Sequence, residues 1–200
     1  NRRNVSNAPI PEQGSLGEIT VPAIDVYFQP RGQKTSQRYY YGSKKKKKKR
    51  VLDEFGVPWY ELPDDVNGVL YYVRAYAVHL VEPEEIEPLS PEVPAEQKRI
   101  LVNLRDQRAI AFENEREVFS TLISSGLPGM FTPIGTFMTF HKRPSRRMFL
   151  FAGDPKMDYD FPGVPWVNYI TQDGVAIHGA YWHANWGNPM THGCISMPTE

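Results

Sequence analysis

The chain contains 200 residues, 40% of them hydrophobic, which is enough for one ordinary domain or two small ones with a packed core. Its 23 basic residues balance its 23 acidic residues, so there is no net field to attract nucleic acid, and no nucleic-acid partner is predicted. A single cysteine excludes an internal disulfide, and no apolar run approaches the ~20 residues that a membrane-spanning helix needs.

The N-terminal part of the sequence predicts a tail followed by a small all-β module. Residues 1–20 are polar and interrupted by prolines and glycines, so we predict a flexible tail there. Between residues 21 and 81, aromatic and β-branched residues come in short runs separated by turn formers, as is typical of β-strands. The runs lie at residues 25–28, 38–41, 59–62 and 69–81. Their pattern loosely resembles a small barrel of the Src-homology type.

One segment of this module has low complexity. Lys44 begins a run of six lysines that ends at Lys49, and Arg50 follows it. Like charges repel one another and prefer water, so we predict a solvated hairpin. The alternative is that Lys44 to Arg50 binds anionic polymers by charge attraction.

The composition changes sharply after this module. Residues 82–97 contain four prolines and six glutamates, which keep a chain extended because proline fixes φ and like charges repel. We therefore predict a linker at 82–97 and a second domain at 98–200. Short runs predict strands in this domain, without a sustained helical period. These strands are expected at residues 100–104, 107–112, 118–123, 135–141, 167–171 and 175–178, so the domain is predicted to be mainly β.

The residues most capable of chemistry lie close together near residue 200. They are His178, His183, His192 and Cys194. A thiol attacks a carbonyl efficiently only as a thiolate, so it needs a nearby base and donors that stabilise negative charge. Gly193 allows close approach of the backbone to a substrate, and the amides of Gly193 and Cys194 are candidates for an oxyanion hole.

Two other interpretations stay open on the residues alone. Cys194 has the size of a small hydrophobic residue, and Ile195 and Met197 beside it suit a buried core. The three histidines and the cysteine are also first-row metal ligands. Gly187 and Pro189 argue against the helix that a zincin site requires, and we predict no metal site.

A longer pattern resembles a known family. His178, twelve further residues, and then Thr191-His192-Gly193-Cys194 are similar to the signature of the YkuD-type L,D-transpeptidases. Residues 100–104 with Gln107, residues 124–126 and residues 132–136 are similar to further segments of that family. The resemblance covers residues 98–200. It implies a β-sandwich catalytic domain that continues further, so the domain is expected to be truncated at Glu200.

The resemblance also implies a reaction. Cys194 would attack a peptidoglycan stem peptide at its L,D bond, and His178 would take the thiol proton. The thioester would then pass to an amine of a neighbouring stem, forming a crosslink, or to water, giving L,D-carboxypeptidase activity. No cofactor is implied, and any anionic polymer bound by the lysine run would belong to the cell wall.

The remaining residues of the predicted site follow from the same resemblance. Ser196 stands where the family usually has Arg or Asn, which puts any substrate contact made there in question. The catalytic residues are Cys194, His178, His192 and Gly193; Gly179, Thr191 and Ser196 position them; Tyr181, Trp182 and His183 line the substrate cleft. Trp186 is expected either in the cleft or in aromatic packing below the loop.

Two other functions compete with the enzyme. The protein could be an inactive wall-binding protein, or a surface structural component that has kept the fold without activity. Each of these functions predicts an extracytoplasmic location at the cell wall or cell surface, although residues 1–200 contain no export signal. The sequence gives no indication of the oligomeric state.

Overall fold

The computed structural model describes residues 15–155 and 157–199. It is built from β-strands joined by turns and three short 3₁₀ helices, so the prediction of a mainly β protein is confirmed. The chain divides into two compact units, one formed by residues 1–85 and 144–165 and the other by residues 86–143 and 166–200. The predicted domain division at 82–97 stays a prediction.

Residues 15–85 of the first unit contain eight strands, joined by short turns. They are β1 (Ser15–Ile19), β2 (Ala23–Tyr27), β3 (Lys34–Tyr40), β4 (Lys44–Lys47), β5 (Lys49–Leu52), β6 (Pro58–Pro63), β7 (Leu70–Arg74) and β8 (Val78–Leu80). They form an antiparallel five-stranded sheet, β3-β2-β7-β6-β5, and an antiparallel three-stranded sheet, β4-β1-β8. Among the described strands, no closed barrel is formed.

Alternation along these strands builds the core of the first unit. Burial alternates along β2 and β7, as the twofold period of a strand requires, whereas four successive residues of β6 are buried. The buried side chains include Ile19, Val26, Tyr39, Tyr60, Leu62 and Val73. The strands predicted at residues 25–28, 38–41, 59–62 and 69–81 therefore correspond to β2, β3, β6 and the pair β7 and β8.

Two predictions for the first unit are wrong. Residues 15–19 do not belong to a tail but form β1, which pairs with both β4 and β8 and buries Ile19. The remaining residues of the predicted tail, 1–14, lie outside the described residues. The lysine run is not a solvated hairpin either, because Lys44, Lys45 and Lys47 are 3%, 2% and 0% exposed.

Groups from distant parts of the chain explain the burial of the lysines. The Nζ of Lys44 lies 3.1 Å from Oε1 of Glu18 on the paired strand β1, and the Nζ of Lys47 lies 4.0 Å from the centre of the Tyr60 ring. Anion pairing and cation–π contact replace part of the lost hydration. The sequence argument from repulsion between like charges could not include these partners. Lys48, Lys49 and Arg50 are exposed.

Two short 3₁₀ helices, Pro83–Ile86 and Ala95–Gln97, lie at the start of the second unit. A meander follows, made of β9 (Lys98–Asn103), β10 (Arg108–Glu113) and β11 (Arg116–Leu122), in the sheet order β11-β10-β9. The strands predicted at 100–104, 107–112 and 118–123 are confirmed to within a few residues. Ala109 at the start of β10 packs with Ile123 and Ile195 in the core of this unit.

A four-stranded sheet, ordered β12-β13-β14-β15, completes the fold. Its strands are β12 (His141–Leu150), β13 (Tyr159–Tyr169), β14 (Ala176–Gly179) and β15 (Ile195–Met197), and β12 and β13 each run from one unit into the other. The predicted strands at 167–171 and 175–178 overlap β13 and β14. The strand predicted at 135–141 is wrong, because residues 135–140 are irregular. Pro133 lacks an amide hydrogen for a ladder, and Gly135 has a φ of +152°.

Within residues 15–155 and 157–199, no helix has the length and apolar character that crossing a bilayer requires.

Candidate active site

The pairing of β14 with β15 sets the geometry of the candidate active site. The two strands are parallel, with Ile177 opposite Ile195 and His178 opposite Ser196. Because successive side chains point to opposite faces, the isoleucines face the core while His178 and Ser196 face the other side. Cys194 lies directly before β15, two residues ahead of Ser196. The fold thus brings the segment that carries the predicted nucleophile beside the strand that carries the predicted base.

The imidazole of His178 is held in one orientation. Its residue is 3% exposed, and Nδ1 lies 3.0 Å from the carbonyl oxygen of Gly179. A carbonyl only accepts, so Nδ1 carries the hydrogen and Nε2 is left as the basic nitrogen. Burial lowers the pKa of His178 to about 4; the Gly179 hydrogen bond raises it slightly, and His183 lowers it. The ring is therefore neutral at neutral pH and able to accept a proton.

The thiol of Cys194 is partly exposed. Its Sγ lies 3.9 Å from the carbonyl oxygen of Gly174, in the turn before β14. Burial raises the pKa of Cys194, the Ala176 amide lowers it, and the negative charge of Asp173 raises it. Within the described part of the chain, no hydrogen bond joins this thiol to His178. The site thus holds a neutral thiol and a neutral imidazole rather than a preformed ion pair.

Hydroxyl groups fix the loop that carries the nucleophile. Thr191 Oγ1 donates to the Cys194 carbonyl at 2.6 Å and accepts the Gly193 amide at 3.1 Å. Thr132 Oγ1 donates to the Gly193 carbonyl at 2.9 Å and accepts the Gly126 amide, also at 2.9 Å. Gly193 has a φ of +114°, a conformation that residues with a side chain rarely adopt. Two threonines thereby hold both ends of a turn that requires glycine.

A buried glutamine connects this loop to the meander. Gln107 is 4% exposed and adopts a φ of +47° at the start of the β10 segment. Its Oε1 accepts the Ser125 amide at 2.9 Å, and its Nε2 donates to Ser125 Oγ at 2.7 Å and to the Leu104 carbonyl at 2.6 Å. The Ser125 carbonyl then accepts the Thr191 amide at 3.0 Å. The chain of bonds makes the position of the nucleophile depend on residues far away in sequence.

Comparison with known proteins identifies this arrangement. A family model for the L,D-transpeptidase catalytic domain, YkuD, matches residues 97–200, just over half of the chain. The chain belongs to this family.

Solved structures of L,D-transpeptidases are similar to the chain. One from Enterococcus faecium is 27% identical with a TM-score of 0.46, and the match covers 52% of this chain and 42% of that chain. One from Mycobacterium smegmatis is 18% identical with a TM-score of 0.49, covering 66% of this chain and 65% of that chain. L,D-transpeptidase 3 from Mycobacterium tuberculosis is 18% identical with a TM-score of 0.47, covering 66% of each chain.

The extent of these matches is limited. The chain spans about two fifths of the length of the Enterococcus faecium protein, at 42% coverage. No curated protein sequence matches the chain.

The spacer of the family signature forms an aromatic cluster beside the candidate base. The Trp182 ring centre lies 5.8 Å from that of His178 and 5.1 Å from that of Tyr181, which it meets edge-on. The His183 ring packs at 4.4 Å on Trp186, and burial lowers the pKa of His183. Trp182 thus contacts the predicted base, while His183 and Trp186 pack together.

The other predicted site residues differ in their surroundings. His192 is exposed, whereas Ser196 is fully buried beside His178. In the described structure, Ser196 Oγ and both ring nitrogens of His183 are buried without a hydrogen-bond partner. No group of three His, Cys, Asp or Glu side chains suited to a metal occurs among the described residues.

Sequence reasoning left two parts of the site unassigned. The segments containing Gln107 and Thr132 were part of the resemblance to the L,D-transpeptidases, but neither residue was assigned a role in the site. A polar side chain that is buried in a β protein requires a hydrogen-bond partner. This requirement is the signal that could have identified Gln107 and Thr132. Their partners, Ser125 and Gly193, become visible only in the folded chain.

Proposed function

We propose that this protein is a cysteine-dependent L,D-transpeptidase that forms peptidoglycan crosslinks through a thioester acyl-enzyme on stem peptides. The observation that carries the proposal is the parallel pairing of β14 and β15, in which His178 lies opposite Ser196, two residues after Cys194. Family membership supports an acyltransferase-type enzyme that acts on the cell wall. The location that follows is extracytoplasmic.

The acylation step begins with the two neutral groups. As the substrate carbonyl approaches, Nε2 of His178 takes the proton of Cys194, and Sγ forms a bond to the carbonyl carbon. The bond to the terminal D-amino acid then breaks, and its nitrogen leaves with the proton from His178. The Nδ1–H of His178 stays directed at the Gly179 carbonyl, which stabilises the imidazolium that forms between these events.

The oxyanion needs a donor in the same loop. Thr191 Oγ1 already accepts the Gly193 amide, so we assign the Cys194 amide as the principal donor to the negative oxygen. Thr191 and Thr132 act as positioning residues, because they hold the carbonyls of Cys194 and Gly193 and thereby aim that amide.

The second half-reaction regenerates the thiol. A side-chain amine of a neighbouring stem attacks the thioester and forms a crosslink, or water attacks it and gives the L,D-carboxypeptidase product. Tyr181 and Trp182 border the cleft beside His178 and supply apolar surface for a stem peptide. His192 is exposed at the edge of the nucleophile loop, and His183 supports the aromatic cluster.

Mass spectrometry of the purified chain treated with a carbapenem tests the proposal. A carbapenem acylates a nucleophilic thiol by ring opening, so the expected product is heavier by one whole carbapenem molecule. The Cys194→Ser variant should lose this adduct, and Ser145→Ala, which changes a hydroxyl of the other unit, should keep it. If the unmodified chain forms no adduct while folded, the inactive wall protein becomes the better description.

A further inference from the structure

The turn between β13 and β14 lies against the nucleophile and has an open outer surface. The carbonyl oxygen of Gly174 is 3.9 Å from Sγ of Cys194. Asp173 and Gly174 are both exposed, and a Cβ built on Gly174 would meet no atom within 4 Å. A molecule that approaches the thiol from this side therefore meets a carbonyl oxygen and a carboxylate.

Hydrogen bonds within the turn fix its backbone. The Gly174 amide donates to the Thr171 carbonyl at 3.3 Å, and the Val175 amide donates to Thr171 Oγ1 at 3.0 Å. The Ile170 amide also donates to the Val175 carbonyl, at 2.9 Å. Within residues 15–155 and 157–199, no ion pair or side-chain hydrogen bond engages the Asp173 carboxylate. The turn thus holds a charge that has no structural partner next to the reacting atom.

We propose that the Asp173 carboxylate and the Gly174 carbonyl bind the ammonium group of the amine that accepts the acyl chain. The inference rests on the proposed function and names the acceptor chemistry of the same site. After acylation, the thioester carbon is bonded to Sγ, so the attacking nitrogen must arrive within a few ångströms of this turn. An ammonium group has only donors and a positive charge, which match a carbonyl oxygen and a carboxylate. The same carboxylate contributes to the raised pKa of Cys194.

The chemical step balances with the groups present. The bound ammonium first loses one proton to water, and the neutral nitrogen attacks the thioester carbon. A C–N bond forms and the C–S bond breaks, so that the electron pair leaves with sulfur. The second proton of the nitrogen passes through Nε2 of His178 to the departing thiolate. The products are an amide crosslink and the free thiol of Cys194.

The test compares acceptors of different charge. A soluble tetrapeptide serves as donor, and the measured quantity is the ratio of aminolysis product to hydrolysis product. Nα-acetyl-lysine amide supplies an ammonium on a flexible chain, and hydroxylamine supplies a small nucleophile that is largely uncharged at neutral pH. For Asp173→Asn, we expect the ratio with the lysine derivative to fall about three- to fivefold, the size typical of an exposed ion pair. The ratio with hydroxylamine should not change.

Two control variants separate charge from structure. Glu117→Gln removes an equally exposed carboxylate from the same unit and should leave both ratios unchanged. Asp173→Glu retains the charge and should restore most of the lost ratio, while added salt should reduce the difference between Asp173→Asn and the unchanged protein.

The outcomes that overturn the inference are distinct from those that overturn the function. If Asp173→Asn keeps the full ratio, or loses it equally with hydroxylamine, the turn does not bind the acceptor, although the acyl-enzyme still forms. If the unchanged protein forms no thioester with either donor or carbapenem, the proposed function fails and the acceptor site with it.

Discussion

The strand β4 and the loop from Thr191 to Cys194 both take polar groups out of full contact with water, but they satisfy them differently. In β4, the charged amine of Lys44 is paired with Glu18, and that of Lys47 has no hydrogen-bond partner in the described structure. The hydroxyl of Thr191 in the loop donates one hydrogen bond and accepts another, and so does that of Thr132, which contacts the loop from another segment.

The two regions differ in how much of the free-energy cost of burying a polar group they recover. A buried hydroxyl with both roles filled recovers the hydrogen bonds that it loses with water, and it fixes backbone geometry at small cost. A buried ammonium recovers only part of its hydration from one carboxylate or one aromatic ring. We therefore expect substitutions in the loop to affect catalysis, and substitutions in β4 to affect mainly the free energy of unfolding.

The largest effect is expected at the proposed base. His178→Ala should slow acylation of Cys194 by a carbapenem about 10²–10⁴-fold, the usual effect of losing a general base. The measurement is the rate of adduct formation by time-resolved mass spectrometry. His192→Ala is the comparison, because His192 is an exposed histidine in the loop that carries Cys194, whereas His178 is buried in β14. If the two variants swap their effects, His192 and not His178 is the base.

The second largest effect is the pH dependence of the reactivity of Cys194, which follows from the neutral state of both Cys194 and His178. The raised pKa of Cys194, compared with the ordinary value of 9.0, means that the thiolate fraction still increases above neutral pH. Alkylation of Cys194 by iodoacetamide should therefore rise about tenfold per pH unit between roughly pH 6 and 9. Because the pKa of His178 is about 4, no step is expected near pH 6.5. A plateau through neutral pH would instead reveal a preformed thiolate–imidazolium pair.

Loss of one hydroxyl should have an intermediate effect on the loop. Thr191→Val keeps the shape of the side chain but removes both bonds, to the Cys194 carbonyl and from the Gly193 amide. Leaving those buried groups unpaired costs about 1–3 kcal/mol, so we expect acylation to slow roughly tenfold to a hundredfold. Thr191→Ser retains the hydroxyl and should recover most of the rate. Equal losses in both variants would point to packing of the methyl group.

The same comparison explains what the sequence could and could not predict. The site was recognisable because His178, Thr191, Gly193 and Cys194 lie close in sequence and have fixed spacing. The meander was predictable because β9 to β11 are consecutive strands with tight turns, whose pairing is local. In both cases, the partners of each residue are close along the chain.

The predictions that failed concern residues whose partners lie far away along the chain. Lys44, Lys45 and Lys47 are buried because of carboxylates and rings from other strands, and no local pattern indicates such partners. The short strand β1 exists because it pairs with β4 and β8, and its own residues are only weakly apolar. Gln107 belongs to the site through Ser125, which a linear motif does not connect to it.

The smallest effect concerns the buried lysine of β4. Burial lowers the pKa of Lys47 to about 8 from its ordinary 10.5, with Glu82 opposing the change and Arg50 adding to it. The folded state therefore disfavours the charged form that the unfolded chain holds up to about pH 10.5. The free energy of unfolding is lowered by the full cost of burying this charge below about pH 8, and this loss disappears as the pH rises toward 10.5. Lys47→Met should raise the free energy of unfolding at pH 7 by about 1–3 kcal/mol.

Urea denaturation at several pH values measures this gain. Lys46→Met is the matched control, since Lys46 lies in the same strand and is exposed, and its effect should be close to zero at every pH. The gain of Lys47→Met should shrink between pH 8 and 10.5, because the unchanged protein becomes more stable as Lys47 loses its proton. If Lys47→Met is less stable than the unchanged protein at pH 7, the contact between Lys47 and the Tyr60 ring outweighs the cost of burying the charge. Strand β4 would then resemble the nucleophile loop, with its buried polar groups fully compensated.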